Sequence, residues 1–300
     1  MRVLITGGAG FIGSRVALEL QKEFDITIVD DFSSGHFKNL YGFNGDVLCF
    51  DVSERNFWQK INDFDAIVHM ASITDTTILD QNLVMSKNCN GFYWLLEYAK
   101  QRQIRVVYAS SAAVYGNTEV PMVEERGLRP ENIYGFSKLC MDRLALKAIK
   151  EGLSVAGLRY FNVYGLGEEF KGRSASMVFQ LYKQIKEGKR PRLFKFGEQG
   201  RDFIYIKDVV NATSLALKSK KSGIFNVGSG ESNSFNELIN IIFERMGKKV
   251  EIEYIDCPYE FYQKHTLADI TKTKQELGFY PLFSLESGVR DYIRALEGNP

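Results

Sequence analysis

Val3-Leu4-Ile5-Thr6-Gly7-Gly8-Ala9-Gly10-Phe11-Ile12-Gly13 places a short apolar, β-favouring run directly before a glycine-rich turn, and a helical apolar pattern continues to residue 21. A strand that enters Gly7-x-x-Gly10-x-x-Gly13 and leaves as a helix is the context a dinucleotide fingerprint requires. The glycines permit a tight turn, let the backbone approach a pyrophosphate, and let the helix pack close to the strand. The positive end of the helix attracts the anion. A merely flexible glycine turn needs neither the strand before it nor the helix after it. The fold class that follows is α/β, a Rossmann-type doubly wound parallel sheet.

Outward from that unit, short β-rich runs alternate with helical stretches. The pattern predicts strands over 3–6, 26–30, 47–50, 66–70, 105–110 and 155–160, with helices including 11–21, 84–101 and 134–151. Right-handed crossovers put every strand's carboxyl end on one edge, so Gly7, Ser111 and Asn162, which follow strand ends, should gather there. Beyond residue 165 the rhythm is less regular. Helices are expected over 176–187, 208–218, 235–246 and 285–296, and short strands over 192–196 and 203–206. Residues 1–165 therefore read as a dinucleotide-binding Rossmann domain. Residues 166–300 read mainly as a smaller α/β substrate-binding lobe, with a cleft between the two.

Composition excludes several classes. Hydrophobic residues at 45% and charged residues at 25% fit an ordinary globular chain, and 38 basic against 37 acidic side chains leave a formal charge of +1. No global field draws nucleic acid or membrane, so anion binding must come from helix N-termini and single arginines. Cys49, Cys89, Cys140 and Cys257 are widely spaced, consistent with reduced thiols in the cytoplasm. His36, His69 and His265 are too scattered to suggest a metal site. No charged-then-apolar leader precedes Val3, and no run approaches the length of a membrane span.

Tyr134 and Lys138 set a phenol and an ammonium one helical turn apart, downstream of Ser111 at the end of a predicted strand. A phenol near pKa 10 is a poor base at neutral pH, and a fixed positive charge nearby should favour its phenolate. The Ser111 hydroxyl can hold the same substrate oxygen that Tyr134 protonates or deprotonates. The Tyr-x-x-x-Lys spacing recurs at Tyr182 and Lys186, but no serine-bearing strand precedes that copy and its helix is amphipathic, so it reads as packing and surface. Asp30 ends the second strand, where a carboxylate can bond the adenosine ribose hydroxyls of NAD. Asp31 adds a second negative charge that opposes a 2′-phosphate, whereas His36 or Lys38 could neutralise one, which leaves NAD and NADP both open. Asp51 is either an adenine contact or an ordinary loop residue. Asn88, counted with the cofactor pocket, is either a satisfied helix interior or a brace for the active-site strand.

Gly7-x-x-Gly10-x-x-Gly13, Ser111 and Tyr134-x-x-x-Lys138 together resemble the extended short-chain dehydrogenase/reductase family of nucleotide-sugar epimerases and dehydratases, nearly end to end. Segments 159–165, 170–177, 201–208 and 223–230 narrow the likeness. The stretch around Lys171, with 75–77 and 262–269, resembles the family's ADP-glyceromanno-heptose 6-epimerases. The resemblance implies an isomerase of carbohydrate metabolism, serving lipopolysaccharide biosynthesis, in which a tightly bound NAD or NADP takes hydride from C6 and returns it to the opposite face. Proton-transfer groups are then needed on two sides of that carbon, and the resemblance assigns them to Tyr134 and Lys171, with Lys138 and Ser111 assisting. It adds Phe11, Ile12, Val52, Met70, Ala71 and Val163 to the cofactor pocket. It assigns Thr74, Ser111, Asn162, Arg173, Gln180, Phe194, Arg201 and Tyr262 to a nucleotide-diphosphate sugar, Arg201 to the diphosphate and Tyr262 to the nucleotide end. Related enzymes associate, so a homo-oligomer is implied. Phe92, Trp94, Leu139 and Met141 could serve core or subunit contact. The segment after Asp30 looks as much like NAD-using 4-epimerases as like the NADP-using heptose enzymes. Two alternatives stand beside the heptose epimerase. One is a UDP-hexose 4-epimerase or other nucleotide-sugar 4-epimerase or dehydrogenase. The other is a non-catalytic dinucleotide-binding redox sensor, which would have no use for a tuned phenol.

Overall fold

Strands rich in Val, Ile and Leu and buried on both faces form the centre of the molecule. The computed structural model describes residues 1–61, 63–258 and 263–298. In chain order the first part comprises β1 (Arg2–Thr6), α1 (Phe11–Leu20), β2 (Asp25–Asp30), β3 (Asp46–Cys49), α2 (Arg55–Lys60), β4 (Ala66–His69), α3 (Gln81–Met85), α4 (Gly91–Arg102), β5 (Arg105–Ser111), α5 (Ile133–Lys150) and β6 (Val155–Tyr160). There follow β7 (Asn162–Tyr164), α6 (Met177–Lys186), β8 (Arg192–Phe194), β9 (Gly200–Arg201), β10 (Phe203–Tyr205), α7 (Ile206–Lys218), β11 (Gly223–Val227), β12 (Asn233–Ser234), α8 (Phe235–Met246), β13 (Glu253–Ile255), α9 (Thr271–Leu277) and α10 (Leu285–Leu296).

Seven parallel strands form the central sheet in the order β11-β6-β5-β4-β1-β2-β3. The chain starts in mid-sheet, winds outward to β3, then returns to β4 and winds the other way. The switch point lies between β1 and β4, where a crevice opens at the strands' carboxyl ends. Side-chain alternation divides the core. Val3 and Ile5 of β1 pack on one face with Val16 and Leu20 of α1 and Val209 of α7. Leu4 packs on the other with Phe92 and Leu95 of α4 and Met141 of α5. Phe92, Leu139 and Met141 are thus interior.

Two features depart from the sequence pattern. Beyond residue 165 the chain re-enters the sheet: β11 pairs in parallel with β6, and α7 packs on α1. The chain leaves the central sheet at Tyr160, the end of β6, since β7 pairs only with β10, and the later segment returns to the sheet as β11. The helix expected over 84–101 is interrupted by a π-type turn at Ser86–Asn90, which separates α3 from α4. Asn88 lies in that turn, fully buried, and brackets the Ile73 backbone by accepting from its N–H (2.8 Å) and donating to its carbonyl (3.1 Å). It also donates to Ser137 Oγ of α5 at 2.9 Å.

A charged network clamps α5 to the sheet. Arg159 of β6 donates to Asp142 at 2.8 Å, both side chains being almost solvent-free, and Tyr108 of β5 donates to the other Asp142 oxygen at 2.7 Å. Arg159 also donates to the Tyr115 hydroxyl and the Glu124 carbonyl, each at 2.8 Å. Removing one charge leaves its partner buried and unpaired. Asp142→Asn is therefore expected to lower stability by about 3–5 kcal/mol, read from the urea midpoint. A change below about 1 kcal/mol would mean that the network does not hold α5.

Candidate active site

At the switch point the glycines separate into two kinds. Gly7 has φ +66, and a Cβ there would lie 2.5 Å from Ala71 N. A Cβ at Gly13 would lie 2.2 Å from the Gly7 carbonyl oxygen. These two glycines are required by the protein's own packing. A Cβ at Gly10 would meet only the Gly7 oxygen, at 3.2 Å, and Gly10 lines the cleft, so its missing side chain leaves room for something outside the chain. Asp30 at the end of β2 accepts from the N–H of Ala9 (2.9 Å) and of Phe32 (2.8 Å). Burial raises its carboxyl above the ordinary range, and the two N–H groups oppose that rise. Asp31 accepts from the N–H and hydroxyl of Ser33, and both aspartates line the cleft.

On the far side of the switch point, β5 delivers Ser111 and the first turns of α5 deliver Tyr134 and Lys138. Asn132 caps α5 by accepting from Gly135 N–H at 2.8 Å. The Ser111 hydroxyl accepts from Ala113 N–H at 3.1 Å and is hydrogen-bonded to the Tyr134 phenol. Lys138 Nζ lies 5.9 Å from the Tyr134 ring centre and donates to Ser72 Oγ (2.6 Å) and the Ala109 carbonyl (2.7 Å). Desolvation pushes the Lys138 ammonium down to about 8, with Asp142 and Cys89 raising it. The Tyr134 phenol shifts in the direction opposite to that expected from its lysine neighbour: burial raises it, and the Ser111 hydrogen bond only partly offsets this. Tyr134 is therefore held as the protonated phenol at neutral pH.

Lys171 comes from the loop between β7 and α6. Burial lowers its ammonium, Glu168 raises it, and its Nζ stands 5.5 Å from the Phe11 ring centre at the start of α1. Beside it, Phe170 stacks on His36 with ring centres 3.8 Å apart and 3° between planes, joining this loop to the turn after β2. His36 N–H in turn donates to the Ala9 carbonyl at 3.0 Å.

One cleft of about 1380 Å³ unites these parts. Gly7, Gly10, Phe11, Ile12, Gly13, Asp30, Asp31, Asp51, Val52, Met70, Ala71, Lys138 and Val163 line it, as do Ser111, Tyr134 and Lys171. So do Thr74, Asn162, Arg173, Gln180, Phe194 and Arg201. Arg201 is buried and donates to the Gly200 (2.9 Å) and Lys264 (3.0 Å) carbonyls, and Asn162 accepts from Thr266 at 3.0 Å. Two expected cofactor residues are absent from the lining. Asn88 sits one layer behind it as a brace, because its amide is consumed by Ile73 and Ser137. Lys38 is exposed on a short helical turn, with its N–H turned to His36 Nδ1 at 3.2 Å. Tyr262 lies outside the described residues. The second Tyr-x-x-x-Lys pair is outside the cleft, Lys186 donating to the buried Tyr182 at 2.9 Å. Ser72 and Glu168 carry no signal in the sequence, because an isolated serine after a strand and a glutamate beside glycine are ordinary loop composition. The described residues contain no cluster suited to a metal ion.

Among known proteins, residues 3–228 match the NAD dependent epimerase/dehydratase family. Over 98% of this chain and 98% of the other, the sequence is 38% identical to an ADP-L-glycero-D-manno-heptose-6-epimerase of Brachyspira hyodysenteriae. The crystal structure of the Helicobacter pylori ADP-L-glycero-D-manno-heptose-6-epimerase matches at 44% identity and a TM-score of 0.92, covering 99% of this chain and 96% of that one. The Bacillus cereus UDP-glucuronic acid 4-epimerase, in complex with UDP-glucuronic acid and NAD, matches at 28% identity and a TM-score of 0.89, covering 99% of this chain and 100% of that one.

The two kinds of glycine predict two phenotypes. Gly10→Ala should weaken binding in an NADH titration by tenfold or more, on the order of 1.4 kcal/mol, with an unchanged urea midpoint. Gly13→Ala should also lower stability, by about 1–3 kcal/mol. Equal binding by Gly10→Ala and the wild type would remove Gly10 from the dinucleotide site. Lys138 gives a pH signature. Its folded value of about 8 lies below its ordinary 10.5, so between those values the unfolded chain binds more protons and stability should rise with pH. Urea midpoints from pH 7 to 11 should show that component in the wild type and not in Lys138→Met.

Proposed function

Because the chain belongs to the NAD dependent epimerase/dehydratase family, we propose that it interconverts ADP-D-glycero-D-manno-heptose and ADP-L-glycero-D-manno-heptose by transient oxidation and re-reduction at C6. A nicotinamide dinucleotide would supply the redox chemistry, accepting the hydride from C6 and returning it, and the Gly10 opening at the start of α1 would leave room for its pyrophosphate. The observation that carries the reading is the convergence of two proton-transfer groups, Tyr134 from α5 and Lys171 from the β7–α6 loop, on one cleft. Inversion requires hydride to leave one face of the carbon and return to the other, so the hydroxyl proton must be handled on two sides. Tyr134, kept protonated by burial, has a proton to give to the oxygen as returning hydride turns the ketone into an alkoxide, which is a far stronger base than a phenolate. Lys171, displaced downward, releases its proton more readily and is suited to accepting one from the alcohol.

Arg201, held by two carbonyls, and exposed Arg173 at the cleft supply cations for a diphosphate that the near-neutral chain does not attract globally. The lobe formed mainly by residues 166–300 takes the sugar nucleotide. Of the two dinucleotides we assign NAD. Asp30 and Asp31 line the adenosine end, Lys38 is outside the lining, and Lys87 is engaged by Asp51, so a 2′-phosphate would face two carboxylates. The reading brings with it a cytoplasmic enzyme that self-associates. Half-exposed Tyr93, Phe136 and Leu146 on α4 and α5 are apolar side chains that such an interface would cover.

Incubating the purified protein separately with ADP-D-glycero-D-manno-heptose and UDP-glucose, with products followed by NMR, should give C6 inversion of the first and no reaction of the second. Turnover of UDP-glucose alone would replace the heptose epimerase with a 4-epimerase. Tyr134→Phe and Lys171→Ala should each reduce kcat by about 10²–10⁴ with unchanged circular dichroism. A 4-epimerase using Tyr134 alone would survive the second change. Dinucleotide released by heat from the purified protein should chromatograph as NAD, and recovery of NADP would reverse the cofactor assignment.

A further inference from the structure

We propose that Glu168 is the positioning residue for Lys171, its buried carboxylate pinning both ends of the loop that carries the lysine and supplying the lysine's counter-charge. The proposal rests on Lys171 as the second proton-transfer group. Glu168 is fully buried, an expensive place for a carboxylate without partners. One oxygen accepts from Gly165 N–H (3.0 Å) at the entry to the loop and from the Ser176 hydroxyl (2.8 Å) at its exit. The other oxygen accepts from Ser176 N–H. Ser176 also caps α6, accepting from Phe179 N–H at 3.3 Å, so the exit is anchored to a rigid element. Between the pinned ends, Lys171 N–H donates to the Glu168 carbonyl at 2.9 Å. The Glu168 side chain thereby fixes where the loop starts and where it stops, and the backbone carbonyl of the same residue fixes how it turns at the lysine.

The carboxylate also acts through space. Burial drives Lys171 toward its neutral form, and Glu168 opposes that drive. Around Glu168 the other titratable groups are Tyr164 at the end of β7 and Tyr292 on α10, both raised far enough to stay neutral through the working range. Glu169, the next residue, faces Arg15 of α1. Lys171 is therefore the cation that the Glu168 charge serves. Gln in its place keeps the length but loses the charge, and its amide N–H₂ would oppose a backbone donor. Asp keeps the charge but loses the reach.

The test is a titration of protein labelled with [ε-¹³C]lysine, assigned with Lys171→Arg, alongside kinetics of each variant. Glu168→Gln should lower the Lys171 titration by on the order of one pH unit, shift the matching limb of the pH–kcat profile the same way, and reduce kcat by about 10–100-fold. Glu168→Asp should also lose kcat but keep the titration near the wild-type value. If Glu168→Gln leaves the titration in place, whether or not kcat falls, Glu168 is only a structural carboxylate and the proposal is overturned. Wild-type turnover in Lys171→Ala would overturn the functional reading instead. The NMR titration reads the Glu168–Lys171 coupling whatever reaction the site performs.

Discussion

An all-parallel sheet must bury both faces, so every connection crosses over one face or the other and every strand ends on the same edge. Here the winding direction reverses between β1 and β4, and no crossover covers the space above those two strands. Every part of the cleft is arranged around that gap. Gly7 closes the turn after β1, Met70 and Ala71 follow β4, Ser111 ends β5, and Asn162 follows β6. The glycine turn is compressed against the backbone of the neighbouring strand end, which leaves Gly10 as the position open to a ligand.

The charges in and behind the cleft are held by specific partners, as burial demands. Asp30 is met by two backbone N–H groups, and Lys138 by a hydroxyl and a carbonyl. Behind Lys138 lies Asp142, locked by Arg159 and Tyr108. Behind Lys171 lies Glu168, locked by the ends of its own loop. Buried Lys138 and part-buried Lys171 thus each have a buried carboxylate nearby that makes the proton harder to lose. A protein with a formal charge of +1 creates its site from local arrangements of this kind and not from a long-range field.

Residues whose chemistry depends on local spacing were the legible ones. Gly7, Gly10 and Gly13 are spaced by the geometry of a strand–turn–helix unit, and Tyr134 and Lys138 by one helical turn, so both motifs can be read along the chain. The copy at Tyr182 and Lys186 has the same spacing, and the lack of a serine-bearing strand before it, together with its amphipathic helix, separated the two. Asn88 was harder, because a polar residue in an apolar helix is either a satisfied helix interior or a brace. The π-type turn that aims it at Ile73 and Ser137 decided for the brace. The pKa of Tyr134 could not be read at all, since the balance between lysine field and burial depends on how deeply the phenol is enclosed.

The sequence by itself determined the α/β layering, the glycine turn after β1 and the one-turn spacing of Tyr134 and Lys138 on α5, because each follows from contacts between residues close in the chain. Only the tertiary structure decided that β11 completes the sheet, that Lys38 stands outside the cleft, and that Glu168 lies beneath Lys171. The outcomes in this second group depend on segments that meet after long excursions, on burial, and on competition for hydrogen-bond donors. No short window of residues encodes how far a side chain will end up from water.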